Sequence, residues 1–71
     1  MPNGIPVETK RQIITQELQD WKRTQYQMII RHRVLKNVDA TPQQLEEIEK
    51  VLERCEKAID TLHTELQNVG E

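Results

Sequence analysis

One cysteine (Cys55), two histidines (His32 and His63), one tryptophan (Trp21) and one tyrosine (Tyr26) are the side chains from which this 71-residue sequence, which has no serine, would build a reactive site. A thiol becomes a nucleophile when a base or a positive field lowers its pKa, and no base stands beside Cys55; a buried thiol otherwise behaves as a small hydrophobe. A metal ion needs ligands that converge, and the helical register derived below sets His32 and His63 near opposite ends of the molecule. There is no glycine-rich phosphate loop and no H-E-x-x-H pair. The carboxylates of the second half alternate with lysines four residues on, Glu46 with Lys50 and Glu53 with Lys57, as on a solvated helix face. The expectation is a protein that is not an enzyme, with no catalytic residue, no metal site, no cofactor and no small-molecule substrate.

Phosphate recognition is the remaining chemistry with a visible signal. Residues 6–36 carry seven basic groups against three acidic, a net +4, while residues 41–71 carry three against eight, a net −5. Lys22, Arg23, Arg31, Arg33 and Lys36, with Tyr26 among them, are the candidate contacts to RNA or DNA. Their spread around the helix and the net charge of −2 on the whole chain weigh against this reading, because counterion release would be modest.

The elements that hold these residues are legible from apolar spacing. Leu45, Ile48, Leu52, Cys55, Ile59, Leu62, Leu66 and Val69 follow one another at alternating steps of three and four, the repeat that keeps one helix stripe facing a partner. The first half repeats the pattern through Val7, Ile14, Leu18, Trp21, Gln25, Met28, His32 and Leu35, with Arg11 interrupting it. Ile29 widens the first stripe, and Val51 and Ala58 the second, beyond what a two-stranded seam requires. At these positions Trp21 is read as a core anchor rather than a base-stacking platform, and Gln25 and His32 as polar members of the seam that fix register or are partly exposed.

The spacing predicts an all-α fold, an antiparallel two-helix hairpin in one domain: an N-terminus disordered over 1–5, helix 1 over 6–36, a loop over 37–41 and helix 2 over 42–69. Thr41, Pro42 and Gln44 read as N-cap, first helical residue and capping-box partner. Thr9 with Gln12 is a second capping candidate for helix 1, but Val7 already lies on the stripe, which favours a start at Pro6. Gly70 is the expected left-handed terminator of helix 2. Folding back at the loop pairs residues whose numbers add to roughly 79, so Leu35 faces Leu45, Gln25 faces Cys55 and Ile14 faces Leu66. On the flank, Arg11, Lys22 and Arg33 are expected to meet Glu49, Glu53, Glu56 and Asp60.

Two helices alone leave broad apolar stripes partly wet, and a chain this short gains by adding a second layer. The expectation is a homodimer that forms a four-helix bundle with Ile14, Leu18, Trp21, Met28, Leu35, Leu45, Ile48, Leu52, Cys55, Ile59, Leu62 and Leu66 as its core. A second line, Tyr26, Ile30 and Val34, lies away from the stripe and is a candidate surface for an unidentified protein partner. No apolar run approaches the length of a membrane span, so no membrane association is expected. The lone thiol fits a reducing compartment, with the cytoplasm as the expected location.

Overall fold

The computed structural model describes residues 4–70; Met1 to Asn3, most of the segment expected to be disordered, lie outside the described residues, as does Glu71. Among the described residues the chain forms two α-helices and no strand: α1, Val7–Asn37, and α2, Pro42–Asn68. Neither helix is interrupted by glycine, and the one proline inside a helix, Pro42, stands at the first position of α2, where its missing N–H costs nothing. The helices pack antiparallel as a hairpin with extents of 57 × 16 × 14 Å.

Each end of the hairpin has its own termination chemistry. Pro6 is extended (φ −62°, ψ 153°) and opens α1 with no side-chain cap, its carbonyl accepting from the Lys10 N–H at 3.0 Å. The Thr9 and Gln12 pair therefore falls within the helix. At the other end of α1 the Val38 N–H donates to the Val34 carbonyl at 3.1 Å and the Ala40 N–H reaches back to the Leu35 carbonyl at 3.0 Å. That second bond spans five residues and brackets Asp39, whose φ of 57° is left-handed. This is the helix-ending arrangement in which glycine normally occupies the left-handed position, because a Cβ is strained there and only Asn and Asp tolerate it well. Asp39→Gly should consequently raise stability by up to about 1 kcal/mol, read as a higher urea midpoint at unchanged slope.

Thr41 then opens α2 with a complete capping box. The Gln44 N–H donates to Thr41 Oγ1 at 3.2 Å, and the Thr41 N–H donates to Gln44 Oε1 at 3.0 Å. Both donors would otherwise have no intrahelical partner. Thr41→Ala should cost about 1 kcal/mol, measurable by the same urea titration, with Thr41→Ser close to neutral.

The distal end of α2 differs from expectation. Val69 is right-handed (φ −67°, ψ −17°) and Gly70 has no positive φ, so Gly70 is not a left-handed terminator. The Arg11 guanidinium lies alongside instead: a Cβ on Gly70 would stand 3.4 Å from its Nη2, a place where the negative end of the α2 dipole favours a cation.

The core is thin. Leu18, Ile48 and Cys55 are buried, Cys55 fully, while Ile14, Trp21, Met28, Leu35, Leu45, Leu52, Ile59, Leu62 and Leu66 are half-buried along the seam. The expected flank pairs do not form. Among the described residues Arg11, Lys22 and Arg33 make no ion pair; Glu49 instead joins His32 Nε2 to its Oε2 at 3.0 Å, and Glu53 pairs with Lys57 within its own helix at 3.6 Å. Long cationic side chains on an outer face lose little by staying in water, since an exposed pair is worth only about 0 to 1 kcal/mol. His32 sits at the seam, 19 % exposed, and is the cross-helix partner within reach.

Candidate interaction surface

The antiparallel pairing gives the hairpin two sides. Residues at seven-residue spacing, Lys10, Glu17, Thr24 and Arg31 of α1 and Gln44, Val51, Ala58 and Glu65 of α2, flank the seam on one side. Thr15, Lys22, Ile29 and Lys36 face Glu49, Glu56 and His63 on the other, where the His32 to Glu49 bond lies.

Two apolar grooves open on the first side. Near the loop, Tyr26, Ile30 and Val34 share a groove with Met28, Leu35, Ile48 and Val51, walled by Arg31 and Glu47. The sequence set Tyr26, Ile30 and Val34 apart from the stripe; the structure joins them to it, with Tyr26 64 %, Val34 52 % and Ile30 36 % exposed. Near the termini, Ile13 and Ile14 form a second groove with Ile5, Val69, Lys10 and Glu65. Ile5, within the stretch expected to be disordered, thus has a place against the helices. Ile13, 53 % exposed, is absent from the sequence-based surface, and the available signal was its position: it stands three heptads before Val34 on the same line of α1.

Between the grooves the side narrows to Thr24 and Ala58, small and half-buried. Charges of both signs line it: Lys10 and Arg31 on α1 stand with Glu65 and Glu47 on α2 at the two grooves, and Glu17 of α1 is exposed between them.

The other candidate residues stay scattered. Lys22, Arg23, Arg31, Arg33 and Lys36 are all exposed and, among the described residues, in no ion pair. Arg23 and Arg33 project with Tyr26 toward the outer face of α1, Lys22 stands at the seam edge away from the grooves, and Arg31 walls the groove. Cys55 is a free, buried thiol. Among the described residues no group of three or more His, Cys, Asp or Glu is placed to hold a metal ion, and no helix is long and apolar enough to cross a membrane.

Comparison with protein-family models, with curated proteins and with solved structures finds no match for the chain.

Proposed function

We propose that the chain is a non-catalytic protein–protein interaction module that self-associates through its helix faces, forming a homodimeric four-helix bundle. The observation that supports this is exposed area. The hairpin exposes 5866 Å² at 8.4 kDa, whereas a compact folded chain of that mass exposes about 4,600 Å². The excess is larger than the roughly 800 Å² each partner contributes to a standard protein interface. Its radius of gyration, 16.5 Å against about 11 Å for a compact chain of this length, describes the same deficit as shape. The buried lone thiol fits a reducing compartment, which keeps the cytoplasm as the proposed location.

Molar mass by light scattering across a dilution series, with helicity followed on the same samples, tests this reading. A helical species of twice the chain mass supports it; a helical monomer at every concentration contradicts it.

One observation favours a second reading, binding of RNA or DNA by α1. The flank pairing that would have neutralised Lys22 and Arg33 is not formed, and Lys22, Arg23, Tyr26 and Arg33 are left exposed on α1. Association with RNA or DNA that weakens steeply as salt rises is its signature, and no association at low salt removes it.

A further inference from the structure

The proposal of a dimer leaves open which side of the hairpin meets the second copy and in which direction. We infer that the second copy docks on the grooved side, with a two-fold axis running along the hairpin, so that α1 of one chain lies antiparallel to α2 of the other and both loops sit at the same end. This inference rests on the self-association proposed above.

Three features of the grooved side select it. It holds both apolar grooves, whereas the opposite side offers Ile29 between Lys22, Lys36, Glu49 and Glu56. Its centre carries the small, half-buried Thr24 and Ala58 beside the exposed Glu17. Its rim carries charges of both signs at matched heights, Arg31 with Glu47 near the loop and Lys10 with Glu65 near the termini.

Charge decides the direction. Two such hairpins pack face to face by a two-fold axis either along their length or across it. An axis across them sets α1 on α1 and α2 on α2, which separates Lys10 and Arg31 of one chain from the Glu65 and Glu47 positions of the other. An axis along them sets each basic helix on an acidic one, brings Arg31 opposite the other copy's Glu47 position and Lys10 opposite its Glu65 position, and presses each groove against its equivalent. Opposite charges brought together at matched heights favour the lengthwise axis. Val34 and Val51 then become buried near the loops and Ile13 near the termini.

A spin label on Val38, 64 % exposed beside the loop, reads the direction in full-length chain carrying Val38→Cys and Cys55→Ala, once mass and helicity are matched to the parent. With helices about 8 to 10 Å apart, labels at one end should lie roughly 15 to 30 Å from each other. A separation approaching the 57 Å length of the hairpin would overturn the direction. The face is read separately. Val34→Glu with Val51→Glu should weaken association on the order of 100-fold, and Lys22→Gln with Ile29→Gln should leave it unchanged; the reverse pattern overturns the choice of side. Isotope-filtered contacts between labelled and unlabelled wild-type chains give the same answer without substitution: they should arise from the Val34 and Val51 methyls, and contacts from Ile29 instead would refute the assignment. A wild-type chain that stays monomeric contradicts self-association itself, a result distinct from either of these.

Discussion

Leu18→Ala should cost about 2 to 4 kcal/mol and sharply lower the urea midpoint of unfolding at 25 °C. Leu18 is the one buried residue of α1, 6 % exposed, while the other apolar side chains of that helix are half-buried or exposed. A chain of 71 residues has on the order of 4 to 10 kcal/mol of stability in total, so one such cavity removes a large share of it. Urea unfolding followed by circular dichroism checks this. The control is Ile13→Ala: at 53 % exposed within one chain it loses little packing in the hairpin itself, and its effect should appear in association rather than in the helicity of the monomer. Equal losses from the two substitutions would mean that the seam is not where the folding energy lies.

Cys55→Asp should be more damaging still, abolishing cooperative folding at neutral pH. The Cys55 side chain has no exposure, and a carboxylate placed there would be buried without a partner, a change that costs several kcal/mol unless the group is neutralised or the helices part. Cys55→Ala removes only a sulfur atom and should cost about 1 kcal/mol, which makes the pair of variants a measure of burial rather than of thiol chemistry. The wild-type thiol should accordingly react with alkylating reagents only as fast as the hairpin opens. Rapid modification in native buffer would show that the seam around Cys55 is open.

These effects trace back to features of unequal visibility in the sequence. The alternation of three and four that runs from Leu45 to Val69 exposes a helix stripe directly, because an α-helix returns to one face at that interval, and Thr41, Pro42 and Gln44 announce the start of α2 through backbone donors that need partners. Cys55 fell on the stripe by spacing alone. The left-handed residue was less visible: glycine at 70 drew the expectation, whereas the chain reverses at Asp39, where geometry between two packed helices overrides the preference for glycine. Flank charges were the least legible. The face on which Arg11, Lys22 and Arg33 sit follows from periodicity, but whether a flexible cation reaches a carboxylate, a helix end or water depends on differences near 1 kcal/mol. The grooves needed both helices at once. Val34 and Val51 are far apart in sequence and line one groove because the turn folds α2 back along α1, so neither half shows the surface on its own.

Thermal unfolding at two chain concentrations a hundredfold apart tests the central claim most directly, since it asks whether the hairpin folds as part of a larger body. If folding is coupled to association, the more dilute sample melts several degrees lower, because mass action subtracts from the stability of anything held together by a partner. A midpoint that does not move with concentration, in a sample of full helicity, would mean that a single hairpin is sufficient and would contradict the dimer.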